Sequence, residues 1–198
     1  IQQNLCRPGI SALLDIAGRE PASLKAQDLG FVIGPRINAA GRMETMDIGI
    51  ECLLADDASK AYALAQQLND LNVERRQVEG KIKQEALVEL EKLEFDQQNL
   101  PAALVMFEEH WHQGVIGIVA GRLKEQFHRP AIVFAADEDG VHIKGSARSI
   151  DGIHIRDSIE LVAEQHPHLI SHFGGHAAAA GLTVKKEHFL EFKTVFEK

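Results

Sequence analysis

The chain has 198 residues, of which 45% are apolar, 25% charged and 6% aromatic, which is typical of a folded globular protein and excludes a disordered or fibrous one. Lys and Arg number 21 against 29 Asp and Glu, and the net charge of −8 excludes nucleic-acid binding by bulk charge alone. Any polyanion site must therefore be local. No apolar run approaches the ~20 residues of a membrane helix and no leader is recognised, so we expect a cytoplasmic chain without membrane contact.

The sequence pattern changes along the chain and predicts three segments. Residues 1–57 alternate short apolar stretches with Gly and Pro, as expected for short helices and loops at the end of a domain. From Ala58 to about Phe95, apolar residues recur every three or four positions without a proline, which predicts a helix of roughly 55 Å. We interpret residues 58–98 as a rigid connector, although a coiled coil or a partner-binding helix has the same pattern.

Residues 99–198 predict a mixed α/β domain. All ten histidines lie between positions 110 and 188, which supports a compositional boundary near residue 100. The alternation of short apolar runs with amphipathic stretches is typical of an α/β or α+β module. Strands are expected over Ala102–Phe107, Pro130–Ala136 and Val141–Ser149, and helices over Gly114–Phe127, His154–Gln165 and Glu187–Lys198.

The stretch Phe173–Gly181 places Gly174 and Gly175 before His176 and four alanines. Glycines let a ligand approach the backbone N–H groups closely, and a helix N-terminus favours an anion. We therefore expect an Ala-rich helix with His176 at its start, where the imidazole donates to a phosphate or a base. A tight turn before a buried helix, with no ligand, is the alternative.

The stretch Lys144–Ser149 carries Lys144, Ser146 and Arg148 at alternate positions. Alternate residues of a strand share one face, so these three side chains are expected to lie together. An ammonium, a hydroxyl and a guanidinium suit a terminal phosphate, whose oxygens Arg binds two at a time. A solvated edge strand with scattered charges has the same pattern.

A cluster of His110, Trp111 and His112 follows the first predicted strand and precedes a glycine-containing helix. We interpret it as a binding loop in which Trp111 stacks on a base and His112 contacts the strand. The alternatives are a Trp111 that packs in the core, and a metal site. No carboxylate or Cys completes a ligand set at metal spacing.

The stretch Gly34–Arg42 brings Arg36, Asn38 and Arg42 together between Gly and Pro. Several donors with little local negative charge are typical of a loop that contacts phosphates. A loop that caps a helix is the alternative.

In this order, GPRINAAGR, the long helix, WHQGVIGIVAGRLKEQFHRPAIVF, KGSARS and FGGHAAAAGL resemble the C-terminal part of bacterial single-strand-specific exonucleases, members of the DHH phosphoesterase superfamily. The resemblance runs from about residue 28 to the end. It implies an α/β fold with three parts: the helical tail of a catalytic domain (1–57), a connector helix (58–98) and a mixed α/β DHH-associated domain (99–198). It also implies 5′ to 3′ digestion of single-stranded DNA in repair and recombination, with single-stranded DNA and other DNA-repair proteins as partners.

The resemblance also implies roles for individual residues. Gly174, Gly175 and His176 match the family's GGH signature, and Ser146 and Arg148 match the segment that holds the 5′ end. Arg36, Asn38 and Arg42 match the last segment of the catalytic domain, which faces the cleft. With Lys144 and His112 from the patterns above, the candidate nucleic-acid-binding residues are Arg36, Asn38, Arg42, His112, Lys144, Ser146, Arg148, Gly174, Gly175 and His176.

One departure from the family pattern is large. The family binds Mn²⁺ or Mg²⁺ through Asp and His, yet residues 1–109 contain no His. We therefore expect the metal ligands to precede Ile1, and this chain to hold no metal, no catalytic residue and no activity of its own. Two other functions stay open: a phosphodiesterase of the same superfamily for cyclic dinucleotides or short oligonucleotides, and a non-catalytic binding or dimerisation module.

Overall fold

The computed structural model describes residues 6–92 and 101–198. The chain divides into two compact units, and the division lies between Gln77 and Val78. Each unit has a hydrophobic core of its own.

The first unit is helical. It contains α1 (Pro8–Ile16), a 3-10 turn (Pro21–Ser23), α2 (Ala26–Asp28), a π-helical segment (Leu29–Ile33), α3 (Gly34–Met43), α4 (Asp47–Leu54) and the first part of α5 (Ala58–Lys92). Short helices were predicted here, and they are present. The core between them includes Leu13, Leu14, Ala39, Ala40, Cys52, Ala61, Ala65 and Leu68.

The loop predicted over Gly34–Arg42 is wrong. These residues form most of α3, with Pro35 in its first turn. A proline is well placed there, because the first N–H groups of a helix have no partner within the helix and the fixed φ of proline suits the helical backbone. The Gly-Pro pair therefore lies in the first turn of α3, directly after the π-helical segment, and does not form a loop.

The predicted long helix is confirmed as α5, which continues unbroken from Ala58 to Lys92. The predicted end at Phe95, and the rest of the segment to residue 98, lie outside the described residues. Ala61 and Leu68 are buried in the first unit, and Ile82 and Ala86 are buried further along the helix. Because the division at Gln77 and Val78 falls inside α5, this helix belongs to both compact units. The segments 1–57, 58–98 and 99–198 stay a prediction.

The second unit is built on a five-stranded mixed sheet, which confirms the mixed α/β class. Its strand order is β1-β2-β3-β5-β4, in which β1 and β2 are parallel and the other pairs are antiparallel. The strands are β1 (Leu104–Phe107), β2 (Ala131–Ala136), β3 (His142–Arg148), β4 (Ile170–Gly175) and β5 (Ala179–Lys185). The helices are α6 (Gln113–Phe127), α7 (Ile155–Gln165) and α8 (Phe189–Phe196), the last preceded by a 3-10 turn (Lys186–His188).

The two faces of this sheet are covered differently. On one face, alternate strand residues pack with α7 and α8 in a core that includes Ile132, Phe134, Ile143, Ala147, Leu182, Val184, Ile159 and Phe192. On the other face, α6 packs against β2 and β3. The residues of β4 and β5 that point to this second face include His172, Gly174 and Gly181, and all three are exposed.

The Ala-rich helix predicted after His176 is wrong. Residues 170–185 form an antiparallel hairpin, β4 and β5, joined by the short loop 176–178. Ala180, Leu182 and Val184 are buried, and the residues between them point to the opposite face. This period of two is that of a strand, and pairing with β3 and β4 outweighs the helix propensity of alanine.

Among the described residues, no helix is both long and apolar enough to cross a membrane.

Candidate nucleic-acid interface

Strand β3 places Lys144, Ser146 and Arg148 on one face of the sheet, as predicted. The intervening Gly145 and Ala147 are buried on the opposite face, whereas the three polar residues are exposed or half-buried. This alternation follows from the pleat of a strand, in which successive side chains point to opposite sides.

The register of the sheet continues this face across β5 and β4. Ser146 lies opposite Gly181, and Gly181 lies opposite Gly174. We call the resulting surface the glycine trough. Its floor is Gly181 and Gly174; one wall is the row Lys144, Thr183 and His172, and the other is Arg148, Ala179 and the loop 176–178.

His176 begins the loop at the end of the second wall. Its backbone N–H donates to the carbonyl of Ala179 at 2.8 Å, and Ala179 lies opposite Arg148. The imidazole is exposed. The structure therefore brings His176 to the same end of the trough as Arg148.

The glycines of this region are of two kinds. A Cβ on Gly174 would meet nothing within 4 Å, and one on Gly181 would meet only the Gly145 carbonyl oxygen, at 3.9 Å. Gly175, in contrast, has a φ of +151°, and a Cβ there would lie 2.5 Å from the carbonyl oxygen of Ala179. The fold therefore requires glycine at 175. At 174 and 181 it does not, and the missing side chains only leave the floor bare.

Arg148 and Ser146 are held together by hydrogen bonds. One guanidinium nitrogen of Arg148 donates to the Ser146 hydroxyl at 3.0 Å and to the Ala147 carbonyl at 2.8 Å. Because Oγ of Ser146 accepts from Arg148, its own O–H remains a donor for a ligand. A Cβ on Gly117 of α6 would lie 2.9 Å from the Ser146 hydroxyl oxygen and 3.0 Å from a guanidinium nitrogen of Arg148. A glycine in α6 therefore lets this helix lie close against the pair.

Lys144 is less available to an anion than its sequence pattern predicts. Its ammonium forms an ion pair with Asp137 at 2.9 Å, and this hydrogen bond raises the pKa of Lys144 and lowers that of Asp137. Gln113, the first residue of α6, also donates to Asp137, at 3.2 Å. The ammonium is therefore held at the trough wall with part of its charge compensated.

Trp111 does not offer a surface for stacking, so that prediction is wrong. The indole is buried, with 4% of its surface exposed, and its N–H donates to the Glu85 carboxylate at 2.8 Å. His110 contacts the same carboxylate oxygen at 2.7 Å. Burial acts to raise the pKa of Glu85, but these hydrogen bonds outweigh it and hold the pKa below its ordinary value. This cluster fastens the second half of α5 to the loop after β1.

His112 caps α6. Its Nδ1 accepts a hydrogen bond from the Gly114 N–H at 3.1 Å, which satisfies one of the N–H groups left open at a helix start. The ring is exposed, so its role toward a nucleic acid stays a prediction.

The three candidates in the first unit do not point in one direction. Arg36 donates to Asn69 at 3.1 Å and to the Val32 carbonyl at 2.8 Å; burial, with a contribution from Arg76, lowers its pKa. Asn38 and Arg42 are exposed and lie four residues apart, on one side of α3. Arg36 is thus tied into the helical unit, whereas Asn38 and Arg42 face outward.

Two residues of the trough, His172 and Thr183, are absent from the candidates that the sequence provides. Both belong to the hairpin that was predicted as a helix. With strands over 170–175 and 179–185, their spacing of two from Gly174 and Gly181 would have placed them on this face.

The described residues do not fit a metal centre. Within 6–92 and 101–198, no group of three or more His, Cys, Asp or Glu side chains is arranged to hold a metal ion. No metal-dependent step is therefore assigned to these residues.

The DHHA1 domain model matches residues 100–198, a range that contains this five-stranded sheet with its GGH-containing hairpin. The chain belongs to the DHHA1 family. The matches to individual proteins are narrower than this match to a domain family. It is 48% identical to the single-stranded-DNA-specific exonuclease RecJ of Haemophilus influenzae over 198 residues, 100% of this chain and 34% of that protein. It is 47% identical to RecJ of Escherichia coli over 196 residues, 99% of this chain and 34% of that protein. The resemblance to single-strand-specific exonucleases is confirmed.

A solved structure gives the same result. RecJ from Thermus thermophilus in complex with Mn²⁺ matches with a TM-score of 0.80 and 32% identity, over 96% of this chain and 26% of that chain. A second structure of the same protein contains Mg²⁺ and matches with a TM-score of 0.79. The chain thus spans about a third of the length of the curated relatives that it matches.

Proposed function

We propose that this chain is part of a 5′ to 3′ exonuclease that degrades single-stranded DNA, and that its glycine trough holds the 5′ end of the strand. The support is the whole-chain similarity to RecJ together with the donors that converge on one sheet face. The divalent metal, Mn²⁺ or Mg²⁺ by analogy with the Thermus structures, would be held by residues other than those described.

The pairing of Ser146 with Arg148 is the observation that carries this proposal. A terminal phosphate bears more negative charge than a diester, and a guanidinium binds two of its oxygens in a planar fork. The hydroxyl of Ser146 supplies a further donor beside that fork. The bare floor of Gly174 and Gly181 lets the sugar–phosphate backbone lie against the main chain.

The charge of the chain sets the expected affinity. With a net charge of −8 and only a few cationic contacts at the trough, binding depends on local phosphate contacts. We expect affinities of about micromolar or weaker, and a steep loss of binding as salt is raised. His176, Asn38, Arg42 and His112 are proposed as further contacts of the strand.

Replacing Arg148 by Ala tests the terminal-phosphate role. The variant is expected to weaken binding of a 5′-phosphorylated oligothymidine by about tenfold, and binding of the 5′-hydroxyl strand by less, measured by fluorescence anisotropy at low salt. Arg156→Ala is the matched control, because Arg156 is on α7, against the opposite face of the sheet, where it pairs with Glu160. Equal losses on the two strands would show that Arg148 does not read the 5′ phosphate.

The other two functions are not favoured, since the relatives that match along the whole chain are exonucleases specific for single strands. A phosphodiesterase for cyclic dinucleotides or short oligonucleotides is tested by competition between a long single strand and a cyclic dinucleotide, because a trough open at β4 is expected to prefer the strand. A non-catalytic binding or dimerisation module is tested by sedimentation, since a stable dimer that does not bind DNA would indicate it. Other DNA-repair proteins are proposed as partners of the whole enzyme.

A further inference from the structure

The hairpin loop that begins with His176 is held from outside the hairpin. The N–H of Ser149, directly after β3, donates to the Ala178 carbonyl at 3.0 Å. The N–H of Ile155, the first residue of α7, donates to the Ala177 carbonyl, also at 3.0 Å. Two consecutive carbonyls of the loop are therefore fixed by the segment that joins β3 to α7. The proposed function gives that segment no role.

The side chain of Ser149 closes this segment on itself. Ser149 is 7% exposed, and its hydroxyl donates to the Ile153 carbonyl at 2.7 Å. Gly152 turns the chain between them with a φ of +88°. The hydroxyl thus ties the start of the segment to its far part, and the N–H groups of both parts hold the His176 loop. We call residues 149–155 the clamp.

The clamp sets the place of His176 relative to Arg148. Arg148 directly precedes the clamp, and the residue opposite Arg148 in the sheet, Ala179, accepts the N–H of His176 at 2.8 Å. The main chain of the loop is therefore fixed on both sides, whereas the imidazole is exposed. A fixed main chain with an exposed side chain is the arrangement of a preorganised contact, which a ligand does not have to order when it binds.

We propose that Ser149 is a positioning residue for strand binding: its hydroxyl, through the clamp, holds the His176 loop so that the imidazole and the Arg148 guanidinium contact one strand together. The inference rests on the proposed function, because it presumes that His176 and Arg148 contact the strand. The hydroxyl of Ser149 is buried and engaged by Ile153, so it acts on the strand only through the loop.

Removal of the hydroxyl is expected to loosen the clamp without unfolding the chain. Ser149→Ala retains both main-chain donors, and Ile153 is 40% exposed, so water has access to this part of the clamp and can replace the hydroxyl. The loop then has to be ordered when the strand binds. We expect 5′-phosphorylated oligothymidine to bind about threefold more weakly, measured by fluorescence anisotropy at low salt.

A spectroscopic measurement on the free chain tests the same step without a ligand. In Ser149→Ala, the ¹⁵N heteronuclear NOE of the amides in loop 176–178 is expected to fall, and the values in β1 and β2 are expected to stay unchanged. A hydroxyl that only stabilised the fold would not produce this local change. An unchanged NOE in the loop would contradict the positioning role.

A double-mutant cycle tests whether Ser149 acts through His176. His176→Ala is expected to weaken binding about fivefold, and Ser149→Ala is expected to weaken it no further in that background, because no imidazole remains to be positioned. Ser158→Ala is the matched control. It removes a hydroxyl that donates to the His154 carbonyl at 3.2 Å, and this carbonyl keeps the N–H of Ser158 at 3.0 Å. The control is expected to bind the strand as the wild type does.

The outcomes separate this inference from the proposed function. If Ser149→Ala binds like the wild type, if its loss persists in the His176→Ala background, or if Ser158→Ala loses as much, the inference is wrong while the role of Arg148 stands. If His176→Ala alone leaves binding unchanged, the inference is wrong for the same strand. If Arg148→Ala leaves binding unchanged, the proposed function fails at its own residue, and the inference that rests on it fails too.

Discussion

Gly174 and Gly181 lie opposite each other in the pairing of β4 with β5, and the fold requires glycine at neither position. An added Cβ would meet no atom within 4 Å at Gly174 and only one, at 3.9 Å, at Gly181. Glycine in a strand interior is less stable than alanine by roughly 0.5–1 kcal/mol. Two glycines that lie side by side without a structural need leave the main chain open to a ligand at this place.

Gly174→Ala and Gly181→Ala are therefore expected to raise or preserve the melting temperature and to weaken binding of 5′-phosphorylated single-stranded DNA. Calorimetry and anisotropy measure the two effects on the same samples. Gly121→Ala in α6 is the matched control, because a Cβ there also meets nothing within 4 Å. It is expected to stabilise the chain and leave binding alone. Unchanged binding in both trough variants would show that the floor has no ligand.

The neighbouring glycine is expected to behave in the opposite way. Gly175→Ala forces a side chain onto a φ of +151° and places its Cβ 2.5 Å from the Ala179 carbonyl oxygen. A loss of about 2–3 kcal/mol in the free energy of unfolding follows from such strain. Urea denaturation of Gly175→Ala beside Gly174→Ala tests the contrast, and equal stabilities would contradict it.

Gly117→Ala tests how α6 positions the phosphate donors. The added Cβ would lie within about 3 Å of the Ser146 hydroxyl and of a guanidinium nitrogen of Arg148. Both atoms end side chains that can turn away, so we expect the fold to survive and the donors to move. The ratio of the affinities for a 5′-phosphorylated and a 5′-hydroxyl strand should then fall. Fluorescence anisotropy with each of the two strands measures it. An unchanged preference would mean that the two donors tolerate displacement.

The acid stability of the second unit is expected to depend on Glu85. Burial opposes its charge, yet hydrogen bonds from Trp111 and His110 hold the pKa below the ordinary value of 4.5. The unfolded chain then binds a proton more readily than the folded one, so this carboxylate stabilises the fold above about pH 4.5 and loses that contribution as the pH falls through the folded pKa. The stability gap between wild type and Glu85→Gln should therefore narrow from pH 7 to pH 3.

Trp111→Phe is the companion variant for this prediction. It removes the indole donor and keeps most of the buried ring, at a cost of about 1 kcal/mol. Thermal unfolding across the pH range measures both variants. A gap between wild type and Glu85→Gln that is constant from pH 7 to pH 3 would show that the carboxylate is not linked to folding.

Much of the second unit is predictable from the sequence because its pattern there is local. The buried strands β1 and β2, the face shared by Lys144, Ser146 and Arg148, and the helices α6 and α7 all follow from hydrophobic periodicity. The long helix α5 follows from the same rule over many turns.

The failures come from contacts that the sequence does not display. Four consecutive alanines favour a helix locally, but residues 179–185 pair with their hairpin partner β4 and with β3, which is remote in sequence. Gly34 and Pro35 predict a loop by their sequence, whereas the preceding segment Leu29–Ile33 is already helical and continues into α3. Trp111 was predicted to stack on a base because its hydrogen-bond partner, Glu85, lies 26 residues earlier and is not visible in the local sequence. His172 was missed for the same reason as the hairpin.

The most direct test is to map where a strand binds. The ¹⁵N-labelled chain is titrated with 5′-phosphorylated oligothymidine, and the amide shifts are followed residue by residue. We expect the largest shifts at Ser146, His172, Gly174 and Gly181, and much smaller ones when the 5′ phosphate is absent. Shifts concentrated on the opposite face, around α7 and α8, or no difference between the two strands, would contradict the trough as the binding surface.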